Sequence, residues 1–444
     1  MHVSLPADMD LNTYLDLRKR EFYLTADALR SVAADFVRAM ESGLAGRPSS
    51  LRMLPSFLGS PSGREHDSVI AIDFGGTNIR VLEVELDGNG GVVTKRILRA
   101  PLVDPAGAYD HLGAGSNAEG LFGFIADRVA EIARPGVSYD LGHTFSFPCR
   151  QTGVNEARLI FWTKEIRTAG VEGEDVGQLL DRALASRGLS QVRSRAILND
   201  TVGTLLAAAF TRPHVAIGSI CGTGHNTCYL EPVHPLTGRP MIVNMESGNF
   251  DAAPQTRFDR ELDEASERPG TQRLEKMGSG RYIGEIVRRV LIDMAAEGLL
   301  PVSAGLSRRD VLSGPEVGAI LADGAGLEAT AATLASCFGW VSLGDERLAA
   351  VRTVVGLLVE RSARLTAATF CGTLLHIDPP LSGEHVIAVD GSLYEKMPYY
   401  AGWIQQAIDE TLPAARGRVG TMLAKDGSGI GAAIAAATAA ALEV

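Results

Sequence analysis

Three short runs carry residue types able to handle phosphate and move a proton. Asp73-Phe-Gly-Gly-Thr-Asn78 sets a carboxylate at the end of an apolar run, then two residues without side chains, then a hydroxyl and an amide, with Arg80 flanking the turn. Such a turn over Gly75, Gly76, Thr77 and Asn78 can bring backbone N–H groups against phosphate oxygens, while Asp73 faces an accompanying Mg2+ through water. It is not a Walker loop, which needs GxxxxGK[ST] between a strand and a helix; here the glycines join two extended runs and no Lys follows. The second run, Ala196-Ile-Leu-Asn-Asp-Thr-Val-Gly-Thr204, ends an apolar strand at Asn199-Asp200 and passes into a helical pattern. The plain reading of Asp200 is a helix N-cap. The sharper one is a general base on a rigid strand end, beside an amide that can hold a hydroxyl, taking the proton as that hydroxyl attacks phosphorus. The third run, Cys221-Gly-Thr-Gly-His-Asn226, offers Gly222, Thr223 and Gly224 as a second phosphate turn, one helix after Asp200.

Further polar groups sit in apolar or Gly-containing settings. Asn226, Glu246 and Glu275 could grip vicinal hydroxyls by paired hydrogen bonds, although each alone also fits a solvated surface position. Val389-Asp390-Gly391-Ser392 follows a strand, and Lys425-Asp426-Gly427-Ser428-Gly429 precedes an Ala-rich helix. Both loops allow close approach of a nucleotide, and both are also ordinary turn chemistry. None of the nine histidines pairs with Ser or Cys in a triad-like signature, so His143 and His225 read as local polar residues. The five cysteines form no CxxC pair and no zinc-ligand spacing, which points to free thiols in a reducing compartment.

The elements that must position these groups alternate along the chain. Residues 16–45 read as one amphipathic helix, with Leu29, Val32, Phe36 and Met40 on one face, followed by a surface loop to Gly63. The apolar run 69–74 predicts a central strand buried on both faces, 79–86 and 92–98 two more, and 87–91 a turn. Strands are expected at 215–221, 226–231 and 385–389, and helices at 201–210, 280–297 and 350–376. The chain is therefore α/β. Ala71-IDFGGTN-Ile79 is echoed by Gly218-SICGTGHN-Thr227, as two copies of one phosphate-handling hairpin would be.

A chain of 444 residues exceeds what one core usually holds, so two domains are expected. With 45% hydrophobic and 21% charged residues and no low-complexity tract, it reads as a packed globular enzyme. A formal net charge of -11 argues against a nucleic-acid binder. Neither a signal peptide nor an apolar run of membrane-spanning length appears, which implies a cytoplasmic protein with no membrane partner. The Ala-rich stretch 429–442 reads as a buried helix.

Taken in order, these motifs resemble the hexokinase family from about residue 20 to the C-terminus. Arg52-Met-Leu-Pro-Ser-Phe57, Asp73-Phe-Gly-Gly-Thr-Asn-Ile-Arg80, His143-Thr-Phe-Ser-Phe-Pro-Cys149, Phe161-Trp-Thr-Lys164 and Leu198-Asn-Asp-Thr-Val-Gly-Thr204 carry the first half. Cys221–Asn226, Asn244-Met-Glu-Ser-Gly248, Phe258–Asp263, Gln272–Met277, Val389–Tyr394 and Asp426–Gly429 carry the second. The resemblance implies an ATP-dependent hexose kinase with two ribonuclease H-like, actin-like lobes closing on a cleft, working as a monomer or homodimer. The small lobe would span 66–199 and regain the C-terminal helix 429–444, with 1–65 and 200–428 forming the large lobe. One catalytic unit would fill 444 residues, so the duplicated form of the family is not expected. Ser146, Thr163, Lys164, Asn199, Asp200, Asn226, Glu246 and Glu275 would contact the hexose, with Asp200 as base and Lys164 offsetting developing charge. Asp73, Gly75, Gly76, Thr77, Asn78 and Thr223 would handle ATP phosphates and Mg2+, with Arg80, Gly222 and Gly224 also among the nucleotide-binding groups. Asp390, Gly391, Ser392, Gly427 and Ser428 would lie near the nucleoside.

The chain departs from the family pattern at Ser247-Gly248-Asn249-Phe250, where Trp-Gly-Ala-Phe is usual, at Glu165-Ile166 in place of Gly-Phe, and at Ile430 in place of Lys. The first two bear on which sugar is preferred, and the third on the nucleotide side. Three alternatives follow: a sugar-sensing regulatory protein on the same fold, a kinase of another sugar or amino sugar, and a structural ATPase of the actin or chaperone kind. The last would not need Ser-Phe-Pro, Trp-Thr-Lys or Glu-Lys-Met.

Overall fold

The structure is a computed structural model describing residues 9–163 and 166–442. Two sheets repeat one plan. In the first, His66–Phe74, Asn78–Asp87 and Val92–Pro101 form an antiparallel meander, and Tyr139–Phe145 and Val192–Leu198 add in parallel beyond His66–Phe74. In the second, Val215–Cys221, His225–Glu231 and Met241–Asn244 form the meander, and His385–Asp390 and Val419–Leu423 add in parallel beyond Val215–Cys221. The two glycine turns seen as an echo in the sequence therefore occupy the same place in each sheet, between the first two strands of the meander. A hairpin of Cys149–Gly153 and Glu156–Leu159 stands apart. The α/β class is thus met, with mixed sheets flanked by helices.

Two expectations are corrected. Residues 16–45 are two helices, Leu11–Phe22 and Ala26–Leu44. Thr25 caps the second, accepting from the amide of Ala28 at 3.3 Å, and the break frees the carbonyl of Leu24 to accept from buried Arg364 Nε at 2.8 Å. The apolar period was right, but a tertiary contact overrides continuity of the helix. The stretch before Gly63 is not a surface loop: Leu51, Met53, Ser56 and Leu58 are buried, and Leu54–Pro55 pairs with Met241–Asn244 as an edge strand. The other predicted strands and helices are present, several longer than expected, such as Asp345–Ile377.

Three apolar clusters hold the molecule. One surrounds Ile70, Ile72, Tyr139 and Leu141 of the first sheet, and the largest packs the helices around Asp345–Ile377 against the second. The third contains Val69, Ala71 and Leu82 from the first sheet, Val215, Cys228 and Ala388 from the second, and the helices Asp200–Thr211 and Gly427–Leu442 between them. Close approach there depends on missing side chains. A Cβ on Gly142 would overlap the carbonyl oxygen of Ala432, and one on Gly431 that of Gly203. Among the described residues, no helix is long and apolar enough to cross a membrane.

Candidate active site

Asn199 ends the strand Val192–Leu198 and is itself the cap of the next helix: its Oδ1 accepts from the amide of Thr201 at 3.0 Å and from Thr201 Oγ1 at 2.8 Å. Asp200 is the first helical residue, and its Oδ1 also accepts from the Thr201 amide, at 2.9 Å. The capping role that Asp200 could have had is therefore shared with its neighbour.

From Asn199 a chain of amides runs outward. Asn226 Nδ2 lies 3.4 Å from Asn199 Oδ1, 3.0 Å from Asn244 Oδ1 and 3.4 Å from Glu246 Oε1. Asn244 Nδ2 donates to Glu246 Oε1 at 2.9 Å. Glu246 itself sits at φ 54, a left-handed conformation costly for a residue with a Cβ, as strained backbone at functional sites often is. Glu275, in the short helix Arg273–Lys276, accepts from the amide of His225 at 2.8 Å. The fold thus brings Asn199, Asp200, Asn226, Glu246 and Glu275 to one side of the second glycine turn, and Asn244 joins them although sequence reasoning gave it no role. Asn244 is the last residue of the strand Met241–Asn244, and it is the left-handed turn at Glu246 that folds the Glu246 carboxylate back to it.

The phosphate-type turns lie close by. Ser146 follows Tyr139–Phe145, its amide donates to the carbonyl of Phe74 at 3.2 Å, and its hydroxyl borders Gly75. Thr77 and Asn78 are joined side chain to side chain at 3.1 Å. In the second turn Gly280 N donates to Gly222 O at 2.8 Å and Arg281 N to Thr223 O at 3.0 Å, fixing the hairpin to the segment after Glu275. Gly391, at φ 120, lies so close to Cys221 and Gly222 that a Cβ would be 2.5 Å from the Cys221 carbonyl oxygen. The Asp390-Gly391-Ser392 loop therefore abuts this turn directly. Gly427 and Ser428 begin the C-terminal helix, and Ser428 Oγ donates to Asp73 Oδ2 at 2.9 Å. Thr163 is half-buried in the loop after Leu159, its carbonyl accepting from the amide of Ile166 at 3.3 Å, and Lys164 lies outside the described residues.

A Cys–His contact also appears, Cys221 Sγ to His225 Nδ1 at 3.8 Å. It is no nucleophile pair: burial pushes the thiol up to about 12 and the imidazole down to about 4, leaving both neutral. His143, wholly buried against Phe145, is likewise pushed down to about 3.

Burial raises the pKa of Glu246, and the charge of Asp200 adds to it. The fold thus favours the protonated form, so the resulting penalty is absent below the ordinary Glu range and grows as pH rises through the raised folded value. Glu246→Gln should therefore melt higher than the wild type at pH 7.5 and gain nothing near pH 4. Equal gains at both pH values in thermal denaturation would contradict this.

Comparison with known proteins gives the geometry a context. Hexokinase family profiles match residues 15–210 and 216–438. Hexokinase-1 of Schizosaccharomyces pombe is 36% identical over 96% of this chain and 91% of its own length, and Hexokinase-1 of Oryza sativa subsp. japonica 39% over 93% and 88%. The chain belongs to the hexokinase family. The hexokinase of Schistosoma mansoni, solved with glucose, superimposes with a TM-score of 0.83 at 31% identity, covering 97% of this chain and 100% of that one. The chain thus has the two-lobed actin-like ATPase fold and is a hexose-phosphorylating kinase. The glycine contacts Gly142–Ala432 and Gly203–Gly431 join residues far apart in the chain, which no local pattern signals.

Proposed function

We propose that the chain is an ATP:hexose 6-phosphotransferase in which Asp200 is the general base. The observation that carries the reading is geometric: Asp200 directly follows Asn199, whose Oδ1 lies 3.4 Å from Asn226 Nδ2 in the amide chain, and opens the helix that lies between the two sheets. A carboxylate at that rigid helix start, beside amides able to hold a hydroxyl, supports the role of base. Asn199, Asn226, Glu246 and Glu275, with Ser146, Thr163 and Lys164, hold the hexose so that one hydroxyl points at Asp200. Asp200 takes the proton of that hydroxyl as its oxygen attacks phosphorus, and the turns at Gly75–Asn78 and Gly222–Gly224 stabilise the charge that develops.

The donor set fits a magnesium nucleotide. Gly75 and Gly76 in the first turn and Gly222 and Gly224 in the second carry no side chain to hold a phosphate off the backbone, and Asp73 supplies one carboxylate, which suits an ion that takes few protein ligands and fills its shell with phosphate and water. When bound, Mg2+ neutralises phosphate charge and ATP supplies the phosphoryl group. We divide the lobes at 199/200, with the C-terminal helix returned to the small lobe. Support comes from Thr144 Oγ1, which donates to Ser428 O at 2.8 Å, and from the helix's contacts with the first sheet. Closure of the lobes excludes water, a competing acceptor. A cytoplasmic setting, with Cys149, Cys221, Cys228, Cys337 and Cys371 free, belongs to the same reading.

Glucose is the first hexose to try, since the Schistosoma enzyme was solved with it. The departure at Ser247–Phe250 is an ordered one: Asn249 Nδ2 donates to Glu246 O at 3.3 Å, and Gln272 N donates to Asn249 Oδ1 at 3.2 Å. It ties the Glu246 loop to the segment carrying Glu275, and so bears on the choice among hexoses. Initial rates of ADP release with Mg-ATP and glucose, fructose, mannose, glucosamine or N-acetylglucosamine test the assignment. Turnover with at least one unmodified hexose is expected. Sugar binding with no turnover would instead favour the regulatory reading.

A further inference from the structure

Asp73 and Arg80 are directly opposed across the first hairpin. An opposed Asp–Arg pair is common in sheets, but this guanidinium reaches further. Its Nε donates to Asp73 Oδ2 at 2.9 Å. One terminal nitrogen reaches the same oxygen and also Ser428 Oγ at 3.2 Å, while the other reaches Asp426 Oδ1. With Ser428 Oγ donating to Asp73 Oδ2, the donors converge on one carboxylate oxygen, and Oδ1 stands on the side of Gly75. Asp426 holds φ 55, a strained value for a residue with a Cβ, while its carboxylate meets Arg80. The partners come from both sheets: Asp73 and Arg80 belong to the first, and Asp426 and Ser428 follow Val419–Leu423 of the second.

We propose that Arg80 is a positioning residue that locks the first phosphate hairpin to the 426–428 loop and orients the Asp73 carboxylate, and is not itself a ligand of the nucleotide. This inference rests on the phosphotransferase reading for the identity of the ligand. It revises the expectation from sequence, which put Arg80 among the nucleotide-binding groups. Four of the five guanidinium N–H donors are engaged by protein oxygens, so a phosphate could take more than the single remaining N–H of Nη1 only by breaking the lock. The lock joins loops from two sheets, and its loss frees the hairpin and the loop to move apart.

The test is calorimetric titration with Mg-ADP, alongside hexose titration followed by tryptophan fluorescence, on wild type, Arg80→Ala, Arg80→Lys, Asp426→Ala and the double Ala variant. Arg80→Ala should weaken Mg-ADP about tenfold and hexose less than about twofold, and Asp426→Ala should weaken Mg-ADP by roughly threefold. The double variant should bind Mg-ADP no more weakly than Arg80→Ala, because both changes break one contact. Arg80→Lys, able to keep one link, should fall between wild type and Arg80→Ala. Multiplied losses in the double variant, or equal losses for hexose and nucleotide, would overturn the proposal. Asp426 is exposed, so its replacement guards against a variant that merely fails to fold. Binding needs no turnover: a chain that binds Mg-ADP yet phosphorylates no sugar would refute the assigned reaction while the Arg80 comparison still decides the lock. Absence of Mg-ADP binding by the wild type would overturn both.

Discussion

Asp200→Ala should lower kcat by about 10³-fold, the usual scale for loss of a positioned base, while hexose binding changes only modestly. The substitution is structurally mild. It removes one acceptor for the Thr201 amide, but Asn199 Oδ1 still accepts from that amide at 3.0 Å and from Thr201 Oγ1 at 2.8 Å, so the helix cap survives. A change in folding stability of about 1 kcal/mol is expected, the scale of an ordinary hydrogen bond. Steady-state kinetics and equilibrium hexose titration on the same sample separate the outcomes. A large fall in kcat with intact binding supports the base, whereas near-normal kcat removes Asp200 from that role. Asp200→Asn sharpens the comparison, since it keeps the shape and loses the proton acceptor.

The second large effect is structural. Gly142 lies mid-sheet, paired with Ala71 and Ala196, under the backbone of Ala432 in the C-terminal helix. A methyl group there meets a backbone carbonyl that cannot swing aside as a side chain could. Gly142→Ala should cost about 3 kcal/mol, the upper part of the range for overpacking. The displaced helix carries Ser428, which holds Asp73, so the KM for Mg-ATP should rise as well. Denaturant unfolding checks the first statement and kinetics the second. An unchanged unfolding midpoint would show that the helix is less tightly seated than the contact implies.

What was legible in the sequence is what is local. The turns at Gly75–Asn78 and Gly222–Gly224, the strand end at Asp200 and the period of Leu29, Val32, Phe36 and Met40 are each set within about ten residues, where φ/ψ preference and side-chain alternation act. The break at Tyr23–Thr25 was not legible as a break, because its cause is a carbonyl taken by Arg364 from a distant helix. The same holds for the lock from Arg80 to Asp426 and for the seat of Ala432 on Gly142: neither residue of such a pair announces its partner. Asn244 is an intermediate case. Its closeness to Glu246 in the chain was visible, yet only the left-handed turn at Glu246 brings their side chains together, and only the fold brings Asn226 between them and Asn199. The site was therefore readable as a set of motifs, and its wiring was not.

The central claim is transfer of the terminal phosphoryl group of ATP to the 6-hydroxyl of a hexose. Phosphorus NMR of the product formed from Mg-ATP and the best acceptor, with carbon-13 label in the sugar, tests it most directly. The account predicts one phosphomonoester whose phosphorus couples to carbon 6, appearing in step with ADP and absent with Asp200→Ala. ADP accompanied by inorganic phosphate alone, or a phosphate on another carbon, would contradict it.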